Sequence, residues 1–270
     1  MQCLINAHHV AIITGFFIPK AQQPETDGPP GAVALARALL ALGKKVTILS
    51  DDLCKPSVTA CSTVIQNSFS PDAFSVSIFP EDKKEHEAFI SQFCSTVDCL
   101  LSIERVGRSV DGSYRTMRGI DITQKTAPLD ELFLYAKVHP ELHITTIGIG
   151  DGGNEIGMGV KQEEVKNFIP QGALIGCVVP ADYLVVAGVS NWGGYALSGA
   201  LLCFAREQNK EISVVNAVYS SDEEQFCMLQ NMVNVGCCDG VKGTPMLSVD
   251  GMDWSIHAQL LDQIRLIAFN

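Results

Sequence analysis

Short apolar runs alternate with amphipathic helical stretches along nearly the whole chain. The runs are almost continuously hydrophobic, as in strands buried on both faces. Strands are predicted at residues 10–14, 46–49, 76–79, 99–103, 144–149, 174–179 and 184–187. Helices are predicted at residues 32–42, 57–66, 83–94, 129–138, 156–167, 195–207, 223–235 and 254–268. This alternation predicts a three-layer, Rossmann-like α/β fold, with a mostly parallel sheet and helices on both of its faces.

The organisation of the chain favours one domain over residues 1–270. No internal repeat, low-complexity tract or linker interrupts the pattern, and this length is enough to bury a large core. The longest apolar stretches are too short and too interrupted to span a membrane. The first nine residues lack the basic start and the apolar run of a signal peptide.

Charge and cysteine usage narrow the choice of partners. The 19 basic and 30 acidic residues give a net charge of −11, which repels phosphate backbones and anionic lipid. We therefore expect neither nucleic acid nor a membrane as a partner. Most of the ten cysteines stand singly in apolar segments without a C-x-x-C pair. This usage indicates a reduced intracellular compartment and no structural zinc.

The strongest local signal is a glycine-rich turn after the fifth predicted strand. Residues 148–159 contain six glycines, three of which match G-x-G-x-x-G. Asp151 and Glu155 would place negative charge where a dinucleotide pyrophosphate should lie. These acids instead favour an ammonium site, proton transfer or a divalent-cation site. The alternative is a tight turn whose acids cap the next helix.

A long loop after the first predicted strand carries two more acids. Glu25 and Asp27 stand just before the helix that begins near Pro30. Acids at this position are favourable as helix caps. Long loops in compact domains are nevertheless often functional, so a functional role for both acids is the preferred interpretation.

The fourth predicted strand ends in Glu104 and opens a loop that reaches about residue 126. This loop contains four of the seven arginines of the chain, Arg105, Arg108, Arg115 and Arg118. Guanidinium groups suit the bidentate recognition of carboxylate or phosphate. The clustering therefore predicts an anion site, and the alternative is a solvated loop with ion pairs to Asp111 and Asp121.

A third turn follows the last predicted strand and contains Ser190, Asn191 and Trp192 before two glycines. Asn191 is a candidate helix cap. Trp192 beside the glycines is a candidate wall of a ligand site.

Taken together, these segments resemble the C-terminal domain of eukaryotic D-glutamate cyclases. The resemblance is carried by residues 14–16, 25–32, 102–105, 114–119, 148–159 and 189–194. It implies a lyase that converts D-glutamate to 5-oxo-D-proline with loss of water, in mitochondria. It also implies a partner, because full-length mammalian members carry a separate N-terminal domain that these 270 residues do not include.

The cyclisation chemistry suggests roles for the residues at these turns. The catalytic proton-transfer candidates are Asp151, Glu155 and Glu104. The candidates for binding the substrate carboxylates are Arg105, Arg115 and Arg118. Backbone N–H groups of Gly152 and Gly153 are candidates for stabilising the oxyanion. The remaining substrate-binding candidates are Glu25, Asp27, Asn154, Ser190, Asn191 and Trp192. No cofactor is expected, and a divalent cation stays open.

Two rival functions remain at this point. The first is a phosphate-handling enzyme that uses Asp27, Asp151 and Glu155 to hold Mg²⁺ and the arginines to bind phosphate. The second is a non-catalytic domain that binds D-glutamate or a related acid. Metal-dependent turnover would favour the first rival, and binding without turnover would favour the second.

Overall fold

A computed structural model describes residues 1–208 and 221–269. Its central sheet consists of β1 (His9–Thr14), β2 (Lys45–Ser50), β3 (Phe74–Ile78), β4 (Cys99–Ile103), β5 (Thr145–Gly150) and β6 (Tyr183–Val186). The strands lie in the order β3-β2-β1-β4-β5-β6, and all neighbouring pairs are parallel. This is the strand order of the Rossmann fold, so the predicted fold class is confirmed.

Helices cover both faces of the sheet. In the described residues they are α1 (Gln2–Asn6), α2 (Pro29–Ala41), α3 (Lys55–Gln66), α4 (His86–Cys94), α5 (Glu131–Val138), α6 (Gln162–Phe168), α7 (Gly172–Ile175), α8 (Ser190–Glu207), α9 (Asp222–Asn234) and α10 (Trp254–Phe269). One hydrophobic core joins the sheet to α1, α2, α3, α8, α9 and α10. A second core joins the opposite face to α4, α5 and part of the chain between β5 and β6.

Strand β1 shows why the strands of the central sheet are nearly continuous apolar runs in the sequence. Val10 and Ile12 belong to one core, whereas Ala11 and Ile13 belong to the other. All four side chains are fully buried. Successive residues of a strand point to opposite faces, and here both faces are covered by helices.

Of the two elements predicted between β5 and β6, the helix begins later than predicted and the strand is absent. The helix predicted at 156–167 begins only at Gln162, because Gly157 has a φ of +104°, which no α-helix contains. The strand predicted at 174–179 does not form. Its apolar residues pack against the glycine-rich segment instead, where Cys177 N–H donates to Gly153 O and Gly157 N–H donates to Val179 O.

The C-terminal part of the chain closes over the loop that follows β1. Thr26 N–H donates to Cys238 O over 2.9 Å, and Thr26 Oγ1 donates to Ser248 O over 2.8 Å. These bonds bring residues about 220 positions apart to the carboxyl end of the sheet. Among the helices that the structure describes, none is long and apolar enough to cross a membrane.

Candidate active site

A cavity of about 370 Å³ lies at the carboxyl ends of β1, β4 and β5. Its volume is within the usual range for small-molecule sites, about 300–1,000 Å³. The strand order reverses between β1 and β4, and open α/β sheets bind ligands at this switch point. Carboxylate side chains dominate the polar lining, and they belong to Glu25, Asp27, Glu104, Asp151 and Asp250.

Three of these acids form a tight cluster. Asp27 lies in the loop after β1, Glu104 directly follows β4, and Asp151 directly follows β5. One carboxylate oxygen from each lies within 4.8 Å of the other two. Parallel strands end at the same edge of the sheet, and for this reason three acids that are far apart in sequence meet at one point.

The first turn of α8 holds the cluster in place. Ser190 N–H donates to Asp27 Oδ2 over 3.0 Å and to Asp151 Oδ2 over 3.1 Å. Ser190 Oγ donates to Glu104 Oε2 over 2.5 Å. Asn191 N–H donates to Asp27 Oδ1 over 2.8 Å. The positive end of the helix dipole and its free N–H groups favour negative charge at this position.

The side chain of Asn191 fastens the loop that carries Asp27. Its Oδ1 accepts hydrogen bonds from Gly28 N–H at 3.0 Å and Gly31 N–H at 2.7 Å. The side chain of Asn191 therefore caps the N-terminus of α2, although Asn191 lies about 160 residues later in the chain. Gly28 adopts a φ of +97°, and a Cβ there would lie 2.6 Å from Thr14 Oγ1. Only glycine allows this close approach.

Burial and mutual repulsion disfavour the charged forms of these acids. Desolvation, followed by the charge of Asp27, raises the pKa of Asp151 and Glu25. Desolvation also raises the pKa of Asp27, and desolvation together with Asp151 raises the pKa of Glu104. Such groups either retain protons or require a cation nearby. Perturbed acids in a cleft are typical of functional sites.

Glu155 lies behind the glycine-rich turn and does not line the cavity. Its carboxylate accepts hydrogen bonds from the N–H groups of Asp151 at 3.2 Å, Gly152 at 2.7 Å and Gly153 at 2.7 Å. The two glycine N–H groups proposed as oxyanion donors are therefore already used by Glu155. In this arrangement Glu155 positions the turn that carries Asp151.

One of the four arginines in the loop after β4 lines the cavity. Arg118 lines it, and its guanidinium donates to Val241 O over 3.1 Å. Arg105 is 1% exposed and donates to Gly15 O, to Asp51 and to Ala127 O. The other two arginines also form ion pairs outside the cavity: Arg108 with Asp130, and Arg115 with Asp111.

The other candidate substrate-binding residues also divide into those that line the cavity and those that do not. Asn154 and Gly152 line the cavity, whereas Ser190 and Asn191 contact its acids from behind. Trp192 is absent from the lining, and its Nε1 donates to His257 Nδ1 over 2.9 Å.

Sequence reasoning missed two charged residues of the cavity, Lys20 and Asp250. Asp250 has a φ of +50°, and the segment before it is organised by Asp239. The Asp239 carboxylate accepts hydrogen bonds from the N–H groups of Val241, Lys242 and Gly251. Asp239-Gly240 and Asp250-Gly251 are both sequence signals for turns. They were the signal in the sequence that could have indicated an ordered loop at this position.

This arrangement suits a small molecule that carries both a positive and a negative group. The acid cluster can hold an ammonium group or exchange protons with it, and Arg118 and Lys20 can bind a carboxylate. The fold and the cavity therefore define an α/β protein with a small-molecule site at the switch point of a Rossmann sheet.

Comparisons with known proteins identify the family. The family model described as "D-glutamate cyclase-like, C-terminal" matches residues 1–265. The chain is also 34% identical over 287 residues to the human protein named "D-glutamate cyclase, mitochondrial". That alignment covers 97% of this chain and 46% of the relative, so the chain spans about half the length of the human protein. The chain belongs to the D-glutamate cyclase-like C-terminal family.

Proposed function

We propose that the acidic cavity binds D-glutamate and converts it to 5-oxo-D-proline with release of water. The observation that carries the proposal is the meeting of Asp27, Glu104 and Asp151 at one small cavity. It occurs in a chain 34% identical to a protein named D-glutamate cyclase.

The reaction requires one bond to form and one to break. The α-amine nitrogen attacks the γ-carboxyl carbon, and a C–N bond forms as one C–O bond breaks. Starting from the ammonium form, the nitrogen loses two protons, and the departing carboxylate oxygen gains two and leaves as water. A site that holds both ends of the substrate in a folded conformer removes much of the entropic barrier.

The cavity supplies groups for both proton transfers. Asp151 and Glu104 are assigned to them because their carboxylates lie in the same cluster and burial favours their protonated forms. One of the two acts in its carboxylate form and accepts a proton from the amine, and the other acts in its protonated form and delivers a proton to the departing oxygen. Asp27 is held by three backbone N–H groups, which suits it to binding the ammonium group.

The opposite end of the substrate is negative and needs a cation. Among the described residues, Lys20 and Arg118 are the basic side chains that line the cavity. Arg118 is assigned to a substrate carboxylate because guanidinium groups pair with carboxylates in a defined geometry. The fixed positions of the amine and carboxylate sites would then select one enantiomer.

Two wider features follow from the relative and belong to the same proposal. The chain would act in mitochondria, because the human relative is named as mitochondrial. It would act beside an additional domain, because the family is that of a C-terminal domain and the relative is about twice as long.

The proposal is tested by incubating the protein with D-glutamate or L-glutamate and measuring 5-oxoproline by chiral chromatography. Formation of 5-oxo-D-proline from D-glutamate alone is expected. Saturable D-glutamate binding without product would instead support a non-catalytic binding domain. Absence of both binding and product would contradict the proposed substrate.

A further inference from the structure

Asp250 brings a carboxylate to the cavity from the C-terminal part of the chain. It lies at the tip of a small hairpin in which Ser248–Val249 pairs antiparallel with Met252–Asp253. The two residues of the tip, Asp250 and Gly251, have φ values of +50° and +80°, and positive φ at both central positions is typical of a type I′ turn. Gly251 N–H donates to both carboxylate oxygens of Asp239, at 3.1 and 2.9 Å. The backbone that carries Asp250 is therefore fixed.

The hairpin is also joined to the loop that carries Asp27. Thr26 Oγ1 donates to Ser248 O over 2.8 Å, so the residue before Asp27 is bonded directly to the hairpin. Both Asp27 and Asp250 line the cavity. Burial raises the pKa of Asp27 to about 7, and the negative charge of Asp250 contributes to this rise. The two acids therefore act on one region of the cavity, although they belong to distant parts of the chain.

The carboxylate of Asp250 differs from that of Asp27 in its hydrogen bonding. Three backbone N–H groups donate to Asp27, whereas none of the residues that the structure describes donates a hydrogen bond to the carboxylate of Asp250. Burial raises the pKa of Asp250, and the charges of Asp239 and Glu155 raise it further. A half-buried carboxylate that lines a cavity takes its hydrogen bonds from water or from a donor on the ligand.

An ammonium group bound in this cavity requires three acceptors, because it carries three N–H donors. In the proposed function, Asp27 supplies one acceptor. The acid that takes the proton from the amine, Asp151 or Glu104, supplies a second. This leaves one N–H donor unpaired, and Asp250 offers a carboxylate without a donor at the same cavity. Three acceptors from different segments would fix the orientation of the amine, which its attack on the γ-carboxyl carbon requires.

We propose that Asp250 determines substrate specificity: its carboxylate accepts a hydrogen bond from the substrate ammonium group, which restricts the site to dicarboxylates that carry an amine. This inference rests on the proposed function and narrows its substrate class. A dicarboxylate without an amine would leave the acids of the cavity facing further negative charge, and repelling or unpaired charges reject a ligand effectively. A bound ammonium group instead favours the charged form of Asp250.

The test compares D-glutamate with glutarate, which has the same five-carbon chain and the same two carboxylates but no amine. Isothermal titration calorimetry measures both affinities in the wild type and in Asp250→Asn. D-glutamate should bind about 10–100-fold more weakly to the variant, which is the scale of a lost hydrogen bond to a charged group. Glutarate should bind to the variant at least as tightly as to the wild type, because a repelling charge has been removed. Urea denaturation should show unchanged stability, because Asn-Gly also favours a type I′ turn.

The matched control is Asp253→Asn, which changes an exposed aspartate of the same hairpin that pairs with Lys242. It should change D-glutamate affinity by less than about threefold. A D-glutamate affinity of Asp250→Asn within about threefold of the wild type would overturn the role of Asp250. An equal loss of affinity for both ligands would also overturn it, because the variant would then damage the cavity as a whole. Absence of D-glutamate binding by the wild type would overturn the proposed function as well, so the two failures are distinguishable.

Discussion

Asn191 N–H donates to the Oδ1 of Asp27 over 2.8 Å, which joins two segments 164 residues apart in the chain. This bond connects the start of α8 to the loop after β1 at the carboxyl edge of the sheet. The acid cluster is therefore held by backbone N–H groups and the short Ser190 side chain at a buried helix terminus. This rigidity is what a catalytic or binding constellation needs.

The side chain of Asn191 should be essential for stability. Asn191→Ala removes the acceptor of the Gly31 N–H group and one of the two acceptors of the Gly28 N–H group, and an unsatisfied buried group costs about 1–3 kcal/mol. We expect the free energy of unfolding to fall by about 1–3 kcal/mol in urea denaturation. Asn234→Ala, at an exposed position, is the control and should change it by less than about 0.5 kcal/mol. Equal stability of the two variants would contradict this role.

The buried ion pair between Arg105 and Asp51 should stabilise the fold, although Arg105 was predicted to bind substrate. Asp51→Ala leaves the Arg105 guanidinium unpaired at a fully buried site, which typically costs about 3–5 kcal/mol. Glu164→Ala breaks an exposed pair with Lys161 and should lower the stability far less, because water and salt screen exposed pairs. Thermal and urea denaturation measure both effects. A stable Asp51→Ala protein would show that the pair has no structural role.

Arg118 and Arg115 should differ in substrate binding despite their proximity in sequence. Arg118 lines the cavity, whereas Arg115 pairs with Asp111 outside it. Loss of a charged hydrogen bond costs about 1.5–3 kcal/mol, so Arg118→Ala should weaken D-glutamate binding about 10–100-fold. Arg115→Ala should change it by less than about threefold. Isothermal titration calorimetry gives both affinities, and the reverse order would remove Arg118 from the site.

The glycine-rich turn should tolerate no side chain at Gly153. Gly153 has a φ of +102°, and a Cβ there would lie 2.8 Å from Val165 Cγ1. Gly112 also has a positive φ, of +80°, but nothing lies within 4 Å of its Cβ position. Gly153→Ala should therefore lower the free energy of unfolding by more than Gly112→Ala, for which backbone strain alone of about 1 kcal/mol is expected. Similar losses in both variants would show that the contact with Val165 is unimportant.

The sequence was sufficient to predict the sheet and most of its acids. Strand β4 is apolar except for Ser102 and is followed directly by Glu104, and the turn after β5 is marked by its glycines. Once a parallel sheet is inferred, the ends of its strands must share an edge. Asp27, Glu104 and Asp151 could therefore be placed together without a structure.

The parts that failed depend on contacts between distant segments. Arg105 appeared available for a ligand because its partner Asp51 lies 54 residues earlier in the chain. Asp250 reaches the cavity only because the C-terminal segment is bonded to the loop after β1. Neither pairing leaves a periodic signal. The strand predicted at 174–179 failed for a related reason, because its apolar residues are buried by the glycine-rich segment instead of by the sheet.

The central claim is that D-glutamate is cyclised at the carboxylate cluster, and the rate of the Asp151→Asn protein tests it most directly. This substitution keeps the size of the side chain and removes its ability to gain or lose a proton. Loss of a proton-transfer group typically lowers the rate by about 10²–10⁴-fold. With saturating D-glutamate, we expect 5-oxo-D-proline formation to fall by that factor in folded Asp151→Asn protein. It should stay unchanged in Asp72→Asn, an exposed aspartate elsewhere. A rate for Asp151→Asn within about twofold of the wild type would contradict the account.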